Sequence, residues 1–247
     1  YNKLLIINSF INLKNNKNNN FDVNKVFCYL KVKSCENFHL AHYILGYIYS
    51  HGIYVPKDIN KALFYLELAA KLNYTQAQYL LGYILFQDKN SPQDINKALH
   101  YLELAANQNH EDAQFILGII YFYGRNIPQD INKSLYYLQL AANQNHPASL
   151  SMLGSIFYSG EVVPRDINKA IYYLSTAADQ NDLSALYNID NIYYEGKYIE
   201  RDINKAIHYL SLAANQNHKI AQYKLGLINF SQHFQTLQIQ NFFQIFS

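Results

Sequence analysis

The chain has 247 residues, half of them hydrophobic, and 20 basic against 18 acidic side chains leave a net charge of +2. No lysine and arginine tract stands out of that balance, which argues against nucleic acid or an anionic lipid surface as partner. The apolar opening stretch from Leu4 to Leu13 carries Asn8, Ser9 and Asn12 and falls far short of the roughly 20 residues that span a bilayer, so no transmembrane segment is expected.

In chain order, residues 1–20 read as a degenerate N-terminal helix followed by the Asn-rich run Lys14 to Asn20. Because the chain opens on Tyr1, its true N-terminus is expected to lie upstream. Asp22 then begins Asp-Val-Asn-Lys, and Asp-Ile-Asn-Lys follows at Asp58, Asp94, Asp130, Asp166 and Asp202, each 36 positions after the last. A fixed period of this length is the mark of a stacked-repeat solenoid, whose units are too small to bury their own apolar faces. Residues 21–230 are assigned to it.

The unit Glu111 to His146 shows the pattern. Phe115, Ile116, Leu117, Ile120 and Tyr121 have helical spacing, and Gly124 and Pro128 then signal a stop and a turn. Asp130 is placed to cap a second helix, whose stripe is Ile131, Ser134, Leu135, Leu138, Ala141 and Ala142. Across units, Ala41, Ala77, Ala113, Ala185 and Ala221 share one position with Ser149, and Gly46, Gly82, Gly118, Gly154 and Gly226 share another with Asp190. Such small residues allow close helix approach. The unbroken series of Tyr29, Tyr65, Tyr101, Tyr137, Tyr173 and Tyr209, with Leu30, Leu66, Leu102, Leu138, Leu174 and Leu210 beside it, is assigned to the core. Asn37, Asn73, Asn109, Asn145, Asn181 and Asn217 follow the second helices, where asparagine tolerates the left-handed conformation that ends them.

Ala41, Leu45, Gly46, Tyr49, Gly52, Asp58, Lys61, Ala62, Tyr65, Ala69 and Ala70 together resemble the Sel-one-like repeat family, relatives of the tetratricopeptide repeats. The match recurs through residue 226. The resemblance implies an all-α fold, a right-handed α/α superhelical solenoid of about six 36-residue helix–loop–helix repeats, with a concave surface that binds other proteins. Asp88 departs from the pattern in one unit, and Asp190, Asn191 and Glu200 in another, so 183–201 is expected to pack more loosely.

His110, His146 and His218 recur in register, but stacked helices lie about 8–10 Å apart, too far for ligands that must each sit about 2 Å from one zinc. They read as loop-capping or solvent-facing residues. Lys25, Lys61, Lys97, Lys133, Lys169 and Lys205 each follow an Asp by three positions and are neutralised locally. Cys28 and Cys35, if on one helix, are about 10 Å apart along the axis, beyond the roughly 7 Å limit for a disulfide. They read as reduced thiols, consistent with an intracellular, cytoplasmic protein. With no phosphate loop, no His-Glu-x-x-His and no Cys-x-x-Cys, neither enzyme activity, metal nor cofactor is expected.

Positions spaced by three and then four on the first helices vary most between units and share one face. They are Ile44, Tyr47 and His51; Leu80, Tyr83 and Gln87; Ile116, Ile119 and Tyr123; then the more polar Met152, Ser155 and Ser159, Asn188, Asn191 and Glu195, and Lys224, Leu227 and Ser231. A protein or peptide groove over the early units accounts for the apolar members, with Ile44, Tyr47, His51, Leu80, Tyr83, Ile116, Ile119 and Tyr123 as its candidate residues. Drifting surface, or tighter curvature that buries these side chains, is the alternative. Residues 231–247, rich in Phe, either cap the last unit or remain exposed as a binding tail. The functional expectation is a noncatalytic adaptor; a secreted or host-directed effector of the same fold, or an enzyme-associated repeat protein, are the other classes.

Overall fold

The computed structural model describes residues 23–36, 38–87, 92–124 and 127–231, and the side chains of all but 23–26 and 92–94 among them. The chain falls into two compact units, one ending at Asp130 and one beginning at Ile131. The first contains α1 (Val23–Cys35), α2 (His39–His51), α3 (Ile59–Lys71), α4 (Thr75–Gln87), α5 (Pro92–Asn107) and α6 (Glu111–Tyr123). The second contains α7 (Ile131–Asn143), α8 (Pro147–Ser159), α9 (Ile167–Ala178), α10 (Leu183–Glu195), α11 (Ile203–Asn215) and α12 (residues 219–231). From α1 to α6, and again from α7 to α11, each helix packs against the next. No strand occurs among the described residues, and the architecture is the all-α repeat solenoid expected from the period.

The recurrent tetrapeptide is a helix start. The carboxylates of Asp58, Asp166 and Asp202 each accept a hydrogen bond of 3.0 Å from the backbone N–H of Lys61, Lys169 and Lys205. The same lysines return their ammonium groups to those carboxylates at 3.0, 3.6 and 3.4 Å. The second helices end on left-handed asparagines, Asn73, Asn109, Asn145, Asn181 and Asn217, with φ between 59 and 62°. Asn37 lies outside the described residues.

One residue later the next helix is capped. The Nδ1 atoms of His110, His146 and His218 accept from the backbone N–H of Ala113, Ser149 and Ala221 at 3.4, 3.2 and 3.3 Å. Asp182, in the same register, accepts from Ala185 at 2.8 Å. Histidine and aspartate interchange here because either can present an unprotonated acceptor to a helix N-terminus. Burial pushes His110 below the ordinary histidine range, which keeps that acceptor free.

Leu30, Leu66, Leu102, Leu138, Leu174 and Leu210 are buried throughout. A Cβ placed on Gly46, Gly82 or Gly154 would lie 2.6, 2.8 or 2.5 Å from the Cγ of Leu66, Leu102 or Leu174, so the leucine of each second helix sits directly on the glycine of the first. The tyrosine series departs from its expected core assignment: only Tyr101 is fully buried, and the others are half-buried. Tyr65, Tyr173 and Tyr209 stack their rings on Tyr49, Phe157 and Tyr193 at the edge of the core, at centroid distances of 5.9, 5.9 and 6.2 Å. A phenol has a polar end that favours water or a partner, as in the 2.7 Å bond from Tyr173 Oη to Gln139.

The expected looseness of 183–201 is not what α10 displays. Leu186, Ile189 and Ile192 are buried along it. Asp190, which stands where other units have glycine, is 0% exposed and is met by the Lys224 ammonium of α12 at 3.3 Å. Lys224 also donates to the Asn191 side-chain carbonyl. The substitution is absorbed by a cation supplied one repeat later.

Residues 1–20 and the Phe-rich segment lie outside the described residues, apart from residue 231 at the end of α12.

Candidate functional site

The first helices carry their variable side chains toward their C-terminal ends, and at α2 and α6 a left-handed glycine then turns the chain away: Gly52 has φ 68° and Gly124 has φ 62°. In the first unit the candidate residues divide by depth. Ile44 is 1% exposed and packs with Leu30, Leu40, Leu45 and Ile48, so it belongs to the core and offers no surface. Tyr47 is half-buried and stacks on the exposed imidazole of His51 at 4.1 Å between centroids. Leu80, Tyr83, Ile116 and Ile119 are half-buried, and Tyr123 is 57% exposed.

Two of these rows enclose a cleft of about 460 Å³. One wall comes from the end of α2 and the start of α3, through Ser50, His51, Lys57 and Ile59; the other comes from α4, through Leu80, Tyr83, Ile84 and Gln87. His51, Leu80, Tyr83 and Gln87 were anticipated from their spacing. Tyr47, Ile116, Ile119 and Tyr123 lie on the same helices or the next one but do not line the cleft.

Its chemistry is apolar with a cationic side. The lining contains no carboxylate, and the Lys57 ammonium has no acidic partner among the described residues. The Ser50 hydroxyl donates to the Tyr47 carbonyl at 2.9 Å, and the His51 Nδ1 lies 2.8 Å from the Ser50 oxygen and 3.0 Å from the same carbonyl. Deeper in the unit, burial pushes the Tyr43 and Tyr79 phenols up to about 12, so both are neutral donors at any physiological pH.

Ser50, Lys57, Ile59 and Ile84 escaped the reading by variable positions. The signal was present in two columns. Where α2 has Ser50, the other first helices have Phe86, Phe122, Tyr158 and Tyr194. Where the loop has Lys57, later loops have Gln129, Arg165 and Arg201.

The corresponding residues of the second unit behave differently. Tyr158 reaches Glu195 of the next first helix with its hydroxyl at 3.4 Å. Asn188 donates to the Ser155 hydroxyl at 2.9 Å, and α8 and α10 touch directly. Arg165 Nε donates to the Tyr158 carbonyl at 2.8 Å, and its guanidinium lies 4.1 Å from the centre of the Tyr198 ring. Asp190 nearby carries a carboxyl raised to about 6, because burial outweighs the attraction of Lys224. No group of three or more metal-binding side chains occurs among the described residues.

A family profile described as the Sel1 repeat matches residues 39–74, 75–110, 111–146, 147–182 and 184–218, each interval holding one first and one second helix. No curated protein sequence matches the chain. Among solved structures, it is similar to a protective antigen of uropathogenic Escherichia coli with an SLR fold, at 24% identity and a TM-score of 0.81 over 90% of this chain and 48% of that one. A Sel1 repeat protein from Oxalobacter formigenes is 25% identical, with a TM-score of 0.77 over 91% of this chain and 65% of its own. An immunity protein from Pseudomonas aeruginosa is 18% identical, with a TM-score of 0.57 over 87% of this chain and 81% of its own. The chain thus spans about half of the first of these proteins and just under two thirds of the second.

Proposed function

The chain belongs to the Sel1 repeat family, and on that premise we propose that it is a noncatalytic scaffold or adaptor holding a protein or peptide against the face lined by its first helices. Proteins of this family are generally protein-interaction scaffolds. The observation that carries the reading is the row of incompletely buried apolar and aromatic side chains on α4 and α6, from Leu80 and Tyr83 to Ile116, Ile119 and Tyr123. Apolar surface left in contact with water at adjacent positions favours association, because covering it releases the water. In this reading the scaffold covers 21–230.

The absence of catalysis is supported by how the acids are spent. Asp58, Asp166, Asp182 and Asp202 cap helices, and Glu67 bridges Lys71 and Lys97 at 3.3 and 3.2 Å. No helix of the described residues is long and apolar enough to cross a membrane.

The test is cross-linking mass spectrometry on the chain in its native cell type. Wild type is compared with a variant carrying Tyr47→Ser, Ile116→Ser, Ile119→Ser and Tyr123→Ser, once circular dichroism shows equal helicity. A protein cross-linked to wild type and lost from the variant supports the reading. An unchanged set of partners removes this face from consideration.

A further inference from the structure

The cleft beside Ser50 is a vacancy in a repeating pattern. In the second unit, the aromatic side chain at this register spans from one first helix to the next, as Tyr158 does to Glu195. Ser50 ends at its hydroxyl, which is already bonded to the Tyr47 carbonyl, and the space an aromatic ring would take is the open cleft of about 460 Å³. That volume falls within the range of small-ligand sites.

A second difference points the same way. Gln129, Arg165 and Arg201 each fold back to donate to the carbonyl seven residues earlier, that of Phe122, Tyr158 and Tyr194, at 2.6, 2.8 and 2.9 Å. Among the described residues Lys57 makes neither such a bond nor an ion pair, and it lines the cleft instead. The neighbouring acid, Asp58, is already engaged by the Lys61 ammonium and the Lys61 N–H. The position that elsewhere seals the end of a first helix here supplies a cation with no acidic partner among the described residues, next to an apolar wall of Leu80 and Ile84.

From these two departures we propose that the cleft is a docking site for an acidic peptide segment of a partner protein, inserting one aromatic side chain where Ser50 leaves room and placing a flanking carboxylate on Lys57. This rests on the scaffold reading above and gives it a specific occupant. The aromatic ring takes the place that Tyr158 fills in the second unit, against Leu80, Tyr83 and Ile84. Lys57 discriminates by charge, since among the described residues no lining side chain carries a carboxylate that would repel an acid or neutralise a base.

The probe is a fluorescein-labelled pentapeptide, Ser-Glu-Phe-Glu-Ser, read by fluorescence anisotropy against the purified chain. Its counterparts replace both glutamates by lysine, or the phenylalanine by alanine. Binding is expected with a dissociation constant on the order of 100 μM, at least about tenfold weaker for either counterpart. Ser50→Tyr, which restores the residue of the later repeats, is expected to abolish it. Lys57→Glu, on an exposed loop, is expected to lose the glutamate peptide and gain the lysine one, so a folding defect in the first variant leaves the inference testable. Equal binding of the two charged peptides overturns the proposal, as does wild-type affinity in Ser50→Tyr, or no binding to wild type. The scaffold reading fails separately, through the four-residue variant above, none of whose positions lines the cleft.

Discussion

Between α2 and α4 the first helices leave an open cleft walled by Leu80, Tyr83 and Ile84 and flanked by Lys57, which has no acidic partner among the described residues; between α8 and α10, three repeats later, side chains at the same register bridge the two helices. The closure is polar, through Tyr158 to Glu195 and Asn188 to Ser155, and the next pair of first helices, α10 and α12, is joined by Asp190 and Lys224. The second helices of both regions bury the same leucines and start on the same aspartate caps. A repeat scaffold therefore separates two tasks. Its second helices and small-residue crossings are held constant because each must fit its neighbour, while the variable face decides whether adjacent units seal to each other or leave room for something else.

The largest expected effect lies in the sealed region. Lys224→Met removes the cation beside a fully buried carboxylate and is expected to cost about 3 kcal/mol at pH 7.5 by urea denaturation. The Asp190 carboxyl is raised to about 6 in the folded chain, against about 3.9 when unfolded. The folded state therefore holds this proton more tightly. Its contribution to stability is full below the unfolded value and is lost as pH rises through the folded one. The penalty in Lys224→Met should shrink at pH 5, and Asp190→Asn in the same chain should recover most of it. A pH-independent loss would mean that Lys224 acts by packing alone.

Next comes the crossing that both regions share. Gly154→Ala drives a Cβ into Leu174, and Gly46→Ala does the same to Leu66; each is expected to cost about 2 kcal/mol. Gly226→Ala has nothing among the described residues within 4 Å of its added carbon and should be neutral or gain up to about 1 kcal/mol from helix propensity. Urea midpoints of the three variants check the change of sign along one register.

A smaller effect tests the seal. Tyr158→Ser is expected to cost about 1.5 kcal/mol by loss of a half-buried ring and its bond to Glu195. Ser50→Tyr in the open region should leave the melting temperature unchanged or raised. If Tyr158→Ser proves silent in hydrogen exchange across α8 and α10, the ring does not seal them.

The smallest effect concerns a cap. His110 has a folded pKa lowered by burial, so the folded chain favours the neutral ring. The stability it lends is present above the unfolded value of about 6.5 and is lost as pH falls through the lowered folded value. His110→Asp, the arrangement at Asp182, should remove this pH dependence between pH 5 and 7.5 while keeping the cap, as urea midpoints at the two pH values would show. This contribution and that of Asp190 have opposite signs, so His110→Asp and Asp190→Asn should move the pH profile in opposite directions.

Much of the scaffold was legible from the chain alone because backbone chemistry repeats with the sequence. Asp58 caps and Asn73 turns left-handed for reasons that lie within a few neighbouring residues, and both were read as such. Ile44 and Tyr65 were misplaced because spacing identifies a face but not its depth. Ile44 is covered by Leu30 from the preceding helix, and Tyr65 stays at the rim beside Tyr49. Asp190 was read as a disruption because its partner lies 34 positions away, beyond the reach of any helical spacing rule. Ser50 and Lys57 were overlooked because each differs from its column by what it leaves unfilled.

The period, the helix boundaries, the caps and the buried leucine and alanine columns were determined by the sequence itself, since each follows from local hydrogen bonding or from apolar spacing along one helix. The depth of Ile44, the burial and pairing of Asp190, and the cleft between α2 and α4 were decided by tertiary structure alone. They depend on which side chains meet across helices, and a pattern along one chain does not contain that until the helices pack.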